Sequence, residues 1–266
     1  MWIYSLVIGI VINIVNIPFD RGANREGSKY AYLELQHHIN FLNVDDVYYI
    51  DCENLKVPRM LETGFRLCRH VLNKNKFPLL IGGDHTTAVS SVFAANEYCH
   101  NKKLNLGVLW FDAHADFNTI ETSPTGNIHG IPVAILCGHT LQELDFSYLL
   151  NTNQFAYYGL RDIDTLEFDR FQDYNMKILN SNKDFIDWIE KFDKIHISFD
   201  VDCLDPSIMS CVNTKVNNGL FLEDVKEKLS LVKESNKLLS MDLVEYNPLL
   251  GNNGDVIGKI LKSILE

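Results

Sequence analysis

Short apolar runs alternate along almost the whole sequence with longer stretches of helical periodicity. Runs rich in β-branched and aromatic residues predict strands at 5–17, 46–50, 77–82, 104–111, 154–159, 176–180, 194–199 and 238–245. Helix-like stretches lie at 28–42, 59–74, 86–101, 182–192, 222–235 and 253–265. This alternation predicts an α/β fold with a mainly parallel sheet of about eight strands, covered by helices on both faces.

No Pro/Ser-rich linker, internal repeat or low-complexity tract divides the 266 residues, so we expect a single domain over 1–266. An open, doubly wound sheet fits one domain of this length. A (β/α)8 barrel is the alternative, and the number of strands does not exclude it. The stretch 112–153 favours the open sheet, because it would put long loops where a barrel has a regular helix.

The segment SLVIGIVINIVNIPF (5–19) is apolar enough to suggest a targeting or membrane segment as an alternative to a strand. It has no basic flank and no small-residue cleavage site, and Asn13 and Asn16 interrupt it. It is also too short to span a bilayer as a helix. We interpret it as a buried first strand and expect no membrane association.

The formal net charge of −11 argues against a nucleic-acid partner, and no basic stripe with interleaved aromatic residues is present. Part of the acidic excess is expected to serve a cation site, which a formal count ignores. The six cysteines show neither CxxC pairing nor the density of a disulfide scaffold. Reduced thiols and a cytoplasmic location are therefore expected.

Acidic and imidazole side chains occupy alternate positions directly after the run 104–111. The sequence WFDAHADFN (110–118) places Asp112, His114 and Asp116 two residues apart. Side chains at this spacing share one face only if the backbone is extended, so the strand is predicted to continue through them. Three ionisable groups on one face of a core strand need water, each other or a cation.

Two further predicted strands end in the same kinds of side chain. LLIGGDHT (79–86) delivers His85, and IHISFDVD (195–202) delivers Asp200 and Asp202. Ligands bind at the carboxyl ends of strands in open α/β sheets, so we expect these groups to form one site. Each motif alone has a structural alternative: GGDH as a glycine turn with a capping aspartate, and DVD as a solvated strand end or helix cap.

The candidate metal ligands are two imidazoles and four carboxylates: His85, Asp112, His114, Asp116, Asp200 and Asp202. One small divalent cation takes four to six ligands and usually keeps water, so this set suits two cations about 3.5–4 Å apart, bridged by carboxylates. Nitrogen and oxygen ligands without thiolate favour Mn²⁺, with Fe, Co, Ni or Zn as substitutes. Two cations on one water lower its pKa towards about 7, which predicts metal-assisted hydrolysis.

Six segments in order resemble the arginase/agmatinase (ureohydrolase) family. They are GGDHT (82–86), DAHADFN (112–118), GNIHGIP (126–132), GLRDID (159–164), SFDVDCLDP (198–206) and MDLVEYNP (241–248). The family fold, a three-layer α/β/α domain with an eight-stranded parallel sheet, agrees with the strand pattern above. The resemblance implies a hydrolase with a binuclear manganese cluster.

The resemblance also implies a role for each matching position. One ion would take His85, Asp112, Asp116 and Asp200, and the other would take His114, Asp112, Asp200 and Asp202. A hydroxide that bridges the two ions would attack a guanidinium carbon and release urea and an amine. His129 matches the proton shuttle to the leaving amine, and Glu245 matches the carboxylate that holds the guanidinium.

The loop DFNTIETSPTGNIHG (116–130) resembles the arginase version of this segment in length and residue type. The positions that match contacts to the carboxylate of the amino acid are Asn118, Ser123, Thr125 and Asn127. Asp164 and Glu167 match positions near its α-amino group. Agmatine has no carboxylate and would not need these neutral donors, so the expected reaction is hydrolysis of L-arginine to L-ornithine and urea.

The segment SCVNTK (210–215) departs from the family pattern: Thr214 is retained, but the Gly and Pro that shape the family's turn are absent. This departure points away from arginine. The alternatives are another ureohydrolase (agmatinase, guanidinobutyrase or formimidoylglutamase) and a catalytically silent homologue that binds metal or amino acid. The expected partner is a small guanidino substrate, and the resemblance implies a homo-oligomer, either a trimer or a hexamer.

Overall fold

The structure, a computed structural model, describes residues 10–141, 144 and 146–266. Its centre is one sheet of eight parallel strands in the order β2-β1-β3-β8-β7-β4-β5-β6. The strands are β1 (Ile12–Ile17), β2 (Val44–Tyr49), β3 (Phe77–Gly82), β4 (Leu106–Phe111), β5 (Phe155–Tyr158), β6 (Lys177–Ile178), β7 (Lys194–Asp200) and β8 (Leu238–Val244). Because β2 and β6 are free edges, the sheet is open, which confirms the doubly wound prediction over the barrel.

In the described part of the chain, eight α-helices cover the two faces of the sheet. They are α1 (Ala31–Leu35), α2 (Val57–Asn73), α3 (Ala88–Lys102), α4 (Pro132–Leu136), α5 (Thr165–Asp173), α6 (Asn182–Ile189), α7 (Leu222–Glu234) and α8 (Gly254–Leu265). Alternate strand residues point to opposite faces: Leu109 belongs to the core that includes residues of α1, α6, α7 and α8, whereas Trp110 belongs to the core that includes residues of α2, α3, α4 and α5. The two cores make the three-layer α/β/α arrangement that was predicted.

The helices account for most differences from the sequence prediction. The helix expected at 28–42 is reduced to α1 after a 3₁₀ turn, because the chain turns repeatedly before β2. Two helices were not predicted, α4 and α5. All five residues of α4 are buried, so it has no amphipathic period, and α5 leaves Leu166 and Phe168 exposed, which breaks the expected pattern.

The apolar N-terminal segment contributes β1, in which every residue is buried, Asn13 and Asn16 included. The predicted first strand began at residue 5, and residues 5–9 lie outside the described residues. Among the helices that the structure describes, none combines the length and the apolar character that a membrane crossing requires.

Candidate functional site

The candidate ligands follow strands that are neighbours at the centre of the sheet, where β3, β8, β7 and β4 lie side by side. The register pairs Phe111 with Phe199, and Asp200 with Val244. Asp112 and Glu245, the residues that follow β4 and β8, therefore leave the sheet beside Asp200 at the same edge. Parallel strands thus bring together motifs that are far apart in the sequence.

The prediction that β4 continues through Asp112, His114 and Asp116 is wrong, because the strand ends at Phe111. Asp112 Oδ1 accepts the backbone N–H of His114 at 2.7 Å, which makes a tight turn directly after the strand. Asp116 then adopts a φ of 51°, in the left-handed region that few non-glycine residues occupy. The three side chains converge because the loop turns back on itself, and not because they alternate along a pleated strand.

The first of two ligand groups surrounds the imidazole of His85. Its Nδ1 lies 3.0 Å from Asp112 Oδ2, 2.9 Å from Asp116 Oδ2 and 3.1 Å from Asp200 Oδ2. All four side chains are buried. The group corresponds to the ligand set that the resemblance implies for one ion.

The second group surrounds His114 and uses the other oxygen of Asp112. His114 Nδ1 lies 3.3 Å from Asp112 Oδ1 and 3.1 Å from Asp202 Oδ2. The donor atoms of His85, Asp112 and Asp200 lie within 4.8 Å of one another, and so do those of Asp112, His114 and Asp202. The two oxygens of Asp112 therefore face different imidazoles, as a bridging carboxylate requires, and the structure brings all six candidate ligands together.

The chemistry of these groups fits divalent cations. His85 Nδ1 and Asp116 Oδ2 are buried without a hydrogen-bond partner in the described structure. Burial and the charge of Asp112 raise the pKa of Asp116 to about 6, and burial with the charges of Asp202 and Asp112 raises the pKa of Asp200 well above its usual range. A bound cation would remove this repulsion and complete the unsatisfied atoms.

A buried hydrogen-bond network at the Nε2 side of His85 orients its ring. Its Nε2 lies 3.0 Å from Ser198 Oγ, and the Ser198 hydroxyl donates to Asp242 Oδ1 at 2.7 Å. Ser198 therefore accepts the proton of Nε2, which leaves the lone pair of Nδ1 directed at the carboxylates. Trp110 stacks on His85 with ring centroids 4.3 Å apart and donates from Nε1 to Asp112 Oδ2 at 2.9 Å.

Sequence reasoning did not identify Asp242 or Trp110 as part of the site. The available signal for Asp242 was a carboxylate within the apolar run of β8, at a position that is fully buried. Trp110 gave no signal, because an aromatic residue on a core strand is ordinary packing.

The two predicted catalytic side chains contact each other. Glu245 has a φ of 66°, and its Oε1 accepts the backbone N–H of His85 at 3.0 Å and lies 3.0 Å from His129 Nδ1. Burial disfavours the charged form of His129, but the hydrogen bond and charge of Glu245 outweigh it and raise the pKa of His129 to about 9. His129 is therefore protonated at neutral pH.

The predicted substrate residues surround a cavity of about 410 Å³ that opens onto the metal groups. Those that line it are Asn118, Ser123, Thr125, Asn127, Asp164, Glu167 and Thr214, together with His129 and all the candidate ligands except Asp112. Asn24 and Asp162 also line the cavity and were not predicted. Asp162 lies in the GLRDID segment, whereas no motif marks Asn24.

The loop after β4 is fixed to α5 by Asp164 and Glu167. Asp164 caps α5 by accepting the N–H of Glu167 at 3.1 Å, and it accepts from Asn118 Nδ2 at 2.8 Å. Glu167 Oε1 accepts the N–H groups of Phe117 and Asn118 at 2.7 and 3.1 Å. Burial raises the pKa of Glu167 to about 8. Both carboxylates thus shape the cavity wall as well as lining it.

The open parallel sheet and the two linked imidazole–carboxylate groups at its central strand ends define an α/β protein with a candidate binuclear metal centre. The family model described as "Arginase family" matches residues 11–264, and the chain belongs to this family. An arginase of Staphylococcus aureus (strain COL) is 37% identical over 198 residues, a match that covers 68% of this chain and 64% of that protein, less than two thirds of its length.

Two solved arginase structures are similar to this fold over nearly its whole length. The arginase from Bacillus subtilis gives a TM-score of 0.86 at 28% identity, covering 96% of this chain and 98% of that one. The arginase from Entamoeba histolytica, in complex with L-ornithine, gives a TM-score of 0.84 at 26% identity with the same coverage.

Proposed function

We propose that this protein is a binuclear manganese hydrolase that converts L-arginine and water to L-ornithine and urea, and that residues 1–266 form a single ureohydrolase domain. The observation that carries the proposal is the division of Asp112 between two imidazoles, Oδ2 facing His85 and Oδ1 facing His114. One carboxylate placed between two donor groups is the arrangement that a pair of cations requires.

Each cation would have its own set of side chains. His85, Asp112, Asp116 and Asp200 would hold one, and His114, Asp112, Asp200 and Asp202 would hold the other. Mixed nitrogen and oxygen donors favour manganese over softer metals. When bound, the paired cations would supply a water that is nucleophilic at neutral pH.

Glu245 and His129 would act on the substrate beside that water. The Glu245 carboxylate would hold the guanidinium by charge-assisted hydrogen bonds and orient its carbon. As the guanidinium carbon gains oxygen and its bond to the side-chain nitrogen breaks, protonated His129 would give a proton to the departing amine. The products are urea and the free amine of ornithine.

The cavity wall supports arginine as the substrate. Neutral donors such as Asn118, Ser123 and Asn127 suit a carboxylate, and Asp164 suits an ammonium group. The E. histolytica arginase binds L-ornithine, an α-amino acid with both of these groups. The altered segment 210–215 keeps other ureohydrolase substrates as the alternative, because it contains Thr214, which lines the cavity.

The proposal is tested by hydrolysis assays on the Mn²⁺-loaded protein, with a chelated sample as the control. We expect urea release from arginine with a higher kcat/KM than from agmatine or guanidinobutyrate, and loss of activity on chelation. A preference for agmatine, guanidinobutyrate or formiminoglutamate would reassign the substrate. Hydrolysis of none of them would support the silent homologue.

Replacing Asn127 by alanine is expected to raise KM for arginine by about tenfold, the effect of losing one hydrogen bond to a charged group. The Asn127 side chain lines the cavity and makes no hydrogen bond among the described residues, so its amide is available to a ligand. Agmatine lacks the carboxylate and serves as the internal control, with an expected change in KM below about twofold. Equal effects on the two substrates would contradict carboxylate recognition by this residue.

The contact of His129 with Glu245 predicts a pH dependence. Its pKa of about 9 lies above the usual value near 6.5, so the stabilisation from this pair is complete below about pH 6.5 and is lost as the pH rises through about 9. In the Glu245→Gln variant, burial acts without the opposing charge, and the pKa of His129 is expected to fall by at least about one unit. An NMR titration of the metal-free protein measures this, and an unchanged pKa would contradict the pairing.

A further inference from the structure

The connection between β7 and α7 forms a long loop, residues 205–219, that is closed at its base. Gly219 N–H donates to Asp205 Oδ2 at 3.0 Å, and Leu204 pairs with Leu220 as an isolated bridge. The Arg161 guanidinium donates to the carbonyl oxygens of Val216 and Asn217 at 2.8 and 3.1 Å. The base and the returning half of the loop are therefore fixed close to the candidate metal groups.

The middle of the loop is fixed by hydrogen bonds of two side-chain amides, those of Asn213 and Asn247. Asn247 is fully buried, and its Nδ2 donates to Asn213 Oδ1 at 2.7 Å and to the carbonyl oxygen of Glu26 at 3.0 Å. Asn213 Nδ2 in turn donates to the carbonyl oxygen of Arg25 at 3.2 Å. The two amides join the loop to the segment 23–27, which also borders the cavity through Asn24.

The backbone of residues 23–26 is held mainly by these bonds. Among the described residues, the backbone of residues 23–26 makes no hydrogen bond except those from Asn213 and Asn247. Gly27 follows with a φ of 130°, and a Cβ there would lie 2.1 Å from Asn247 Oδ1. The buried amide therefore packs directly against this backbone and holds it in place.

Two cavity-lining residues adjoin the amide contacts. Thr214 follows Asn213, and Asn24 precedes Arg25, and both line the 410 Å³ cavity. Asn213 stands where the resemblance shows loss of the turn-forming glycine. The amide pair thus connects two segments of the cavity wall, one of which departs from the family pattern.

We propose that Asn213 is a positioning residue that fixes Asn24 and Thr214 relative to each other at the cavity wall and so sets how the amino-acid end of the substrate is held. The part that concerns the substrate rests on the proposed function. Among the described residues, Asn213 makes no hydrogen bond to the candidate ligands, His129 or Glu245, so its effect is expected on substrate binding rather than on the chemical step.

The test compares Asn213→Ala with Asn217→Ala in the Mn²⁺-loaded protein. Asn217 is a matched control because its exposed side chain lies in the same loop and makes no hydrogen bond in the described part of the chain. Limited trypsin digestion reports on both segments, since cleavage after Arg25 measures loosening of segment 23–27 and cleavage after Lys215 measures loosening of the loop itself. Mass spectrometry identifies each cut.

We expect Asn213→Ala to speed cleavage after Arg25 by about tenfold and to raise KM for arginine by about twofold to tenfold, with kcat and Mn²⁺ retention close to those of Asn217→Ala. Asn213→Asp keeps the acceptor for Asn247 but loses the donor to Arg25, so it should also speed that cleavage. Faster cleavage after Lys215 alone would overturn the proposal. Faster cleavage after Arg25 with unchanged KM would overturn its substrate part.

The digestion also separates this proposal from the proposed function. If the wild-type protein hydrolyses no guanidino substrate, the proposed function fails, and cleavage after Arg25 still decides whether Asn213 holds segment 23–27 to the loop. If the wild-type protein hydrolyses arginine and Asn213→Ala behaves as Asn217→Ala does, the function stands and this proposal is overturned.

Discussion

Replacing Asp112 by alanine is expected to remove both cations from the Mn²⁺-loaded protein and to lower urea production from arginine by at least about 10³-fold. The physical reason is that this one carboxylate faces both imidazoles, so no pair of cations retains its ligands without it. Asp200→Ala is expected to act in the same way. Elemental analysis after dialysis measures the retained metal, and a coupled urea assay measures the rate.

The matched control is Asp187→Ala, which removes an exposed carboxylate on the surface of α6 that, among the residues the structure describes, pairs only with Lys183. This variant should keep both metal content and rate, and circular dichroism of all variants checks the fold. Full metal content and near-normal turnover in Asp112→Ala would refute the bridging assignment.

Replacing His129 by asparagine is expected to slow turnover by about 10²-fold or more while both cations are retained. Asparagine can still donate a hydrogen bond to Glu245, but it has no proton to transfer near neutral pH. His129 lies 3.0 Å from Glu245 and is absent from both ligand groups, so the loss should fall on kcat rather than on metal affinity.

The distinction is made by measuring metal content, kcat and KM on one preparation. Added imidazole provides a second readout, because its protonated form, on entering the cavity, can donate the missing proton and should restore part of the rate in His129→Asn while leaving Asp112→Ala inactive. Unchanged kcat in His129→Asn would place the proton transfer on another group.

The positions of the central strands could be predicted because each is a short apolar run buried on both faces, as in β3 and β4. The clustering of the candidate ligands could be predicted as well, since ionisable side chains directly after such runs are costly to bury in a core unless they are paired. The local backbone conformation after β4 could not be predicted from the sequence. The alternation of Asp112, His114 and Asp116 is typical of a strand. In the structure, however, the side chain of Asp112 accepts the backbone N–H of His114, and the chain turns at this point.

Contacts between distant segments were also beyond the sequence. The side-chain amides of Asn213 and Asn247 are hydrogen-bonded although the two residues are 34 positions apart in the sequence. The amide of Asn213 also bonds to the carbonyl oxygen of Arg25, which is 188 positions away. An asparagine in a loop does not indicate which distant residue it will contact. The buried carboxylate of Asp242 had a local signal, but its contact with Ser198 depends on the pairing of β7 with β8.

The central claim is that six side chains from three strand ends hold two cations in one site. Anomalous diffraction at the manganese edge, from crystals of the Mn²⁺-loaded protein, tests it most directly. The account predicts two peaks per chain, about 3.5–4 Å apart, one beside His85 Nδ1 and the other beside His114 Nδ1, with Asp112 between them. A single peak, or a pair of peaks away from these imidazoles, would contradict it.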